Sequence, residues 1–255
     1  MKIRKIFLSG VLAATMALSV FASAGPAANV EAASKGPKTG EESYANIALA
    51  EDSEELSIQW FLFKADAIGG DADEALKYEE SDLTYSKKTN TLTFNNFNHP
   101  TYCLAVNQMG DDFKIVLKGK NQVQNLAIYG DNYGGSVTIK GTGSLTCNKN
   151  KKSKLYGAGI ILGAENTASK ISIAKTCTVT AFSNKYTGYD LETYEEVKMD
   201  GHPIVVYADK LGSGSKVIKS AGKVSGAKFK TKENANNEGL YDIYCVASKY
   251  VSKKK

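Results

Sequence analysis

FKIVLKGKNQVQNLAIYGDNYGGSVTIKGTGSLTC, residues 113–147, carries the reading of the fold. Apolar residues alternate within it, and its pattern returns elsewhere at fixed offsets. Leu117, Ile139, Ile173 and Ile218 serve as anchors of four copies. Thirteen and eleven residues before them stand Leu104 and Val106, Leu126 and Ile128, Ile160 and Leu162, and Val205 and Tyr207. Two before stand Ile115, Val137 and Ile171, with Lys216 breaking the column in the last copy. Six after stand Val123, Leu145, Val179 and Val224. Each copy thus reads as three short strands alternating inward and outward. Polar turns (NQMGDDFK, YGDNYGGS, GAENTASK, ADKLGSGS) join the first two strands. A tight corner at Asn121, Gly143, Cys177 or Gly222 joins the last two. Asparagine and glycine tolerate the left-handed backbone that such corners use.

A three-strand unit that cannot bury its own apolar face must stack on copies of itself. The expected fold is all-β: a right-handed parallel β-helix, or solenoid, of about four to five coils with N- and C-terminal caps. The shortest spacing between anchors, 22 residues, suits one triangular coil. The right hand follows from the near-universal hand of parallel crossovers. A β-sandwich would need two-residue NG or DG hairpins, and these do not recur in the right places.

Outward from the repeat, residues 44–98 form the expected N-terminal cap and first partial coil. Residues 99–230 hold the coils, and 231–255 a C-terminal cap, with LYDIYCV (240–246) closing the last coil, and a lysine-rich tail. Trp60, in an apolar run filled on both parities, reads as core. Residues 25–43 are small and polar, a flexible linker. Residues 1–24 combine a cationic start, an apolar run Ile6–Phe21 and the small residues Ala22-Ser23-Ala24, the pattern of a secretory signal peptide. Its removal would take away Lys2, Arg4 and Lys5 and lower the net charge of +5 by three. The rest of the chain has no arginine. That weighs against nucleic-acid recognition and bidentate phosphate clamps. No later apolar stretch approaches the roughly 20 residues of a membrane helix, so no transmembrane segment is expected. The expected location is extracellular or at the cell surface. Cys103, Cys147, Cys177 and Cys245 allow two disulfides in three pairings without requiring any.

Chemistry is sparser. Two residues separate Val123 from Leu126, fourteen separate Leu145 from Ile160, and twenty-five separate Val179 from Val205. All growth occurs at one corner, and insertions gathered at one corner of a solenoid often build its binding face. The candidate ligand-binding residues are Lys151, Lys152 and Tyr156 in the first insertion and Tyr186, Tyr189, Asp190, Glu192 and Tyr194 in the second. Tyrosine faces stack on sugar rings, while lysines and carboxylates bind hydroxyls or uronates. The plainer alternative is a solvated lysine loop beside an acidic one, with Tyr189 or Tyr194 packed on the wall. No cofactor is required. Calcium could be taken by carboxylates at Asp71, Asp73, Glu74, Asp111, Asp112, Asp131 or Asp209, although aspartate near glycine is foremost a turn former. The two histidines both precede prolines, His99-Pro100 and His202-Pro203, as rigid entries to a coil. G-x-S-x-G and H-E-x-x-H are missing from the sequence. Paired carboxylates at Asp111-Asp112 or Glu192/Glu195/Glu196 would be needed for glycoside hydrolysis. The expected protein is not an enzyme. Its rivals are a structural or adhesive protein held to anionic cell wall by Lys249, Lys253, Lys254 and Lys255, and a β-helix hydrolase or lyase.

TNTLTFNNFN (89–98), MGDDFKIVLKGKNQV (109–123) and NYGGSVTIKGTGSLTCNKN (132–150) resemble the secreted β-helix proteins of Gram-positive anaerobes labelled carbohydrate-binding-domain proteins. The similarity covers about residues 80–225. The resemblance implies a right-handed parallel β-helix that binds acidic or plant-cell-wall polysaccharide, with calcium in some members. The chain departs from it in the 180–204 insertion and in its four cysteines. Pectate-lyase-like enzymes of similar fold use an arginine base beside calcium, and polygalacturonase-like ones use G-H-G and R-I-K motifs. Here Gly201-His202 is followed by proline, and R-I-K does not occur.

Overall fold

The structure, a computed structural model, describes residues 44–47, 58–64, 82–108, 112–129, 136–153, 157–163, 169–189, 196–209, 214–233 and 240–255. The expected leader (1–24) and linker (25–43) lie outside the described residues. Those described are almost entirely β. In chain order, the first strands are β1 (Tyr44–Ile47), β2 (Ile58–Lys64), β3 (Leu83–Ser86), β4 (Thr91–Asn95), β5 (Asn98–Gln108), β6 (Phe113–Lys118) and β7 (Lys120–Tyr129). Then come β8 (Ser136–Gly141), β9 (Ser144–Cys147), β10 (Ile160–Leu162), β11 (Lys170–Ile173), β12 (Thr178–Phe182), β13 (Lys185–Tyr189), β14 (Glu196–Asp200) and β15 (Ile204–Asp209). A single helical turn, α1 (Gly214–Val217), precedes β16 (Ile218–Ser220), β17 (Lys223–Ser225), β18 (Phe229–Glu233), β19 (Leu240–Cys245) and β20 (Lys249–Lys253).

The strands form one six-stranded sheet, one twelve-stranded sheet and the hairpin β13–β14. Both large sheets are mixed. In the first, β4, β6, β8, β11 and β16 run parallel in that order, with β3 antiparallel on β4. In the second, β5, β7, β10 and β15 form one parallel ladder, and β7, β9 and β12 another. β7 belongs to both. Its start, Lys120–Val123, pairs with β9, and its end, Leu126–Ile128, pairs with β10. Where only two residues separate the third strand of one copy from the first of the next, the two strands are one. Insertions split them further along. Antiparallel strands lie at both ends: β2 on β5, β19 on β15, and β20 on β12 and β17.

Inward residues of both sheets meet in one core that includes Phe94, Ile115, Leu126, Ile139, Leu145, Ile160 and Val179. Each such side chain contributes roughly 1.5–3 kcal/mol of apolar transfer. The column Leu104, Leu126, Ile160 follows the sequence pattern, as does Val106, Ile128, Leu162.

Other columns slip. Ile139 lies beside Ile115 rather than Leu117, and Leu117 lies beside Gly141. Cys147, not Leu145, lies beside Val123, and Ile218 lies beside Ile171 rather than Ile173. A slip of two residues keeps every side chain on its own face, so alternation cannot detect it. The corner sets the register. Gly119 N–H and C=O pack under Gly143, whose added Cβ would lie 2.4 Å from Gly119 O. Ser144 N donates to Gly119 O and Thr178 N to Gly143 O, which aligns Gly119, Gly143 and Cys177. The left-handed residues are accordingly Asn96, Gly119 and Gly141 rather than Asn121 and Gly143. Asn121 is instead a buried bracket, accepting from Phe97 N and donating to Lys118 O and Ser144 O.

The fourth copy departs most. Ile204 and Val206, not Val205 and Tyr207, continue the inward columns. IVVYA (204–208) is apolar on both parities and buried on both faces, so its pattern allows either register. Lys216 breaks its column because it lies in α1, exposed, ahead of the strand. Val224 does not stack on Val179, because β20 lies antiparallel between β12 and β17 with Ser252 opposite both valines. The lysine-rich tail is therefore part of the sheet, and its Tyr250 and Ser252 are buried.

Candidate functional site

The two insertions are bolted together by amides. β9 ends at Cys147, and the next residue, Asn148, turns into a left-handed conformation with no exposed surface. Its Nδ2 donates to Phe182 O at 3.2 Å and to Asn184 Oδ1 at 2.7 Å, both in the second insertion. Its Oδ1 accepts from Lys152 N and Ser153 N in its own loop. Asn184 returns the bond, with Nδ2 donating to Ser153 O at 2.8 Å. Asn184 N donates to Gly157 O, and Gly201 N donates to Asn184 O. Gly157 and Gly201 allow this approach. A Cβ on Gly157 would lie 2.2 Å from Asn184 O, and one on Gly201 would lie 2.5 Å from Gly157 O.

Beneath this joint β7 supplies Gln124 and Asn125. Gln124 Nε2 lies 2.9 Å from Asn148 Oδ1, and Asn150 Nδ2 donates to Gln124 Oε1 and Pro100 O. Asn125, fully buried, exchanges bonds with Ser153 Oγ, donates to Ala158 O and accepts from Cys103 Sγ. A buried amide left without such partners would cost about 1–3 kcal/mol, so the network fixes how the corner projects. None of these amides was a candidate from sequence. Their signal was present in QN (124–125), NKN (148–150) and SN (183–184), each directly following a strand position or ending a loop entry.

The candidates themselves divide. Lys151 and Lys152 are exposed on the first insertion, and Lys151 Nζ lies 5.9 Å from the Phe182 ring centroid. Lys249 Nζ, from β20, lies 5.0 Å from the same ring. Tyr186 is part-buried and sits against Gly157, whose Cβ position is 2.8 Å from Tyr186 Cδ1. Burial pushes its hydroxyl up to about 12. Tyr189 ends β13 opposite Glu196, its side chain lying outside those described. Tyr156, Asp190, Glu192 and Tyr194 also lie outside the described residues. The second insertion rises as the hairpin β13–β14, with an exposed Lys185–Asp200 pair at 3.5 Å across its base. Such a pair adds little stability in water.

Of the calcium candidates, Asp112 accepts from Ser136 Oγ at 2.9 Å in a left-handed turn. The side chains of Asp71, Asp73, Glu74, Asp111, Asp131 and Asp209 lie outside those described. Among the described residues no three His, Cys, Asp or Glu side chains gather as a metal set. Both histidines are packing residues. His99 lies 4.5 Å from Phe97 and 6.3 Å from Tyr102 between ring centroids, and His202 stacks on Tyr244 at 4.2 Å. Burial lowers the pKa of both, opposed by Asp82 at His99 and by a Cys245 backbone bond and Asp200 at His202. Among the described residues no helix is long and apolar enough to cross a membrane. No family model, curated protein or solved structure matches the chain.

Proposed function

We propose that the chain is an exported, non-catalytic polysaccharide-binding protein, built as a right-handed parallel β-helix whose projecting corner is the binding site. The consecutive parallel ladders support the β-helix, with the antiparallel strands at both ends acting as caps. The union of the two insertions through Asn148, Asn184, Gly157 and Gly201 carries the site. It gives residues from two coils one shared projection, with Lys151 and Lys152 exposed beside the hairpin. The chemistry fits a glycan with hydroxyl and acidic groups. This reading requires no cofactor.

The test is retention on pectic and cellulosic polymers, with and without a chelator. Shortening the hairpin between Thr187 and Lys198 spares the Asn184–Gly201 joint, and Tyr189→Ala and Tyr194→Ala run beside it. Loss of retention in the shortened protein supports the corner. Equal retention places the site elsewhere.

A further inference from the structure

We infer that the outer face of the six-stranded sheet is a second binding surface, for a flexible polyol-phosphodiester polymer of the kind that makes a cell wall anionic. It goes beyond the corner reading and uses none of its residues. None of the six strands contains an aspartate or glutamate. Their outward positions carry Lys114 and Lys118 on β6, Lys140 on β8, Lys170 on β11 and Lys219 on β16. Lys114 bonds Thr89 O at 3.3 Å, and the other four are exposed. Threonine, serine and Val116 fill between them, with Thr138 registered on Lys114, Val116 on Lys140 and Ser172 on Lys219. Two described carboxylates border the sheet: Asp82, directly before β3, and Asp112, directly before β6, which accepts from Ser136 Oγ at the entrance to β8.

Parallel strands stand about 4.8 Å apart, and four successive rungs each present an ammonium, staggered by two residues from Lys118 to Lys140 and from Lys170 to Lys219 and by four between Lys140 and Lys170. Such a row repels itself and is relieved by a polyanion crossing the strands. The side chains select among polyanions. Lysine acts as a point charge without a fork, so it answers the charge of a polyanion and leaves the selection to the groups around it. The outward positions of β4, β6, β8, β11 and β16 offer no aromatic ring. Bases and sugar rings therefore find no stacking platform. A polyol phosphate has no ring to stack, and its hydroxyls and phosphates match the Ser/Thr and Lys rows.

The test measures binding of the full chain to immobilised poly(glycerol phosphate) at about 0.05 and 0.3 M salt. Polygalacturonate and single-stranded DNA at equal charge concentration are the comparison probes. The expected result is a strong loss of affinity with salt. The combined Lys118→Gln, Lys140→Gln, Lys170→Gln and Lys219→Gln variant should bind about tenfold or more weakly, with a shallower salt dependence. It should melt as the parent does, because the four side chains are exposed. The hairpin-shortened protein should bind the polymer like the parent, whatever becomes of its glycan retention. Unchanged affinity and salt dependence in the lysine variant overturns the inference. Tighter binding of polygalacturonate or DNA overturns the phosphodiester assignment.

Discussion

At Gly157 the chain has no room for a methyl group. Its φ is +56°, and a Cβ would meet a carbonyl oxygen of the second insertion at 2.2 Å. Gly157→Ala should therefore cost about 2 kcal/mol or more, measured as a lower midpoint in chemical denaturation. Asn148→Ala should cost a comparable ~1–3 kcal/mol, because the Ser153 amide loses its acceptor, Phe182 O loses a donor and Lys152 N is left with Asn150 Oδ1 alone. The histidines give stability a pH dependence of definite sign. Burial holds both folded-state values below the ordinary 6.5, so the unfolded chain binds protons first as pH falls. Stability should be full above about pH 7.5, decline through the ordinary histidine range, and level off once pH is below the lowered folded values. His99→Gln/His202→Gln should flatten that slope in denaturation midpoints taken across the range. A slope unchanged by the double substitution would assign it to other groups. From sequence these residues were legible only in part. Histidine before proline marked a coil entry, but its ring partners Phe97 and Tyr244 are set by folding.

At the scale of elements, alternation located most of the central strands, because one face must be apolar for the core to form. It could not fix the register. A two-residue slip between β6 and β8 leaves burial unchanged, and the decision belongs to backbone contact at Gly119 and Gly143. β15 was ambiguous for another reason: an apolar run covered on both sides has no preferred parity. β20 was hidden by its charges, since Lys249, Lys253, Lys254 and Lys255 flank the buried Tyr250 and Ser252. Tyr250→Ala should destabilise by about 3–5 kcal/mol, as for other large buried rings. The same substitution at the exposed Lys253 should fall within ~0.5 kcal/mol. Equal effects at the two positions would remove β20 from the core of the sheet. The candidate corner was legible as a place, from insertion lengths, while the amides that shape it were overlooked in favour of tyrosines and charges.

For the whole molecule, the four cysteines are free and buried rather than paired. Burial raises the Cys147, Cys177 and Cys245 thiols, which keeps them as unreactive thiols at neutral pH. A colourimetric thiol reagent should find almost nothing in the native protein and four equivalents after denaturation, with equal gel mobility with and without reductant. Fewer than four thiols after denaturation would point to a disulfide. The position of β20 also orders events in time. Lys254 N donates to Thr178 Oγ1, 76 residues earlier, and β12 has β20 for its second neighbour. A ribosome delivers β12 long before the strand that completes it. Until the tail arrives, β12 stands as an open edge of the wide sheet and β17 lacks the strand that joins it there.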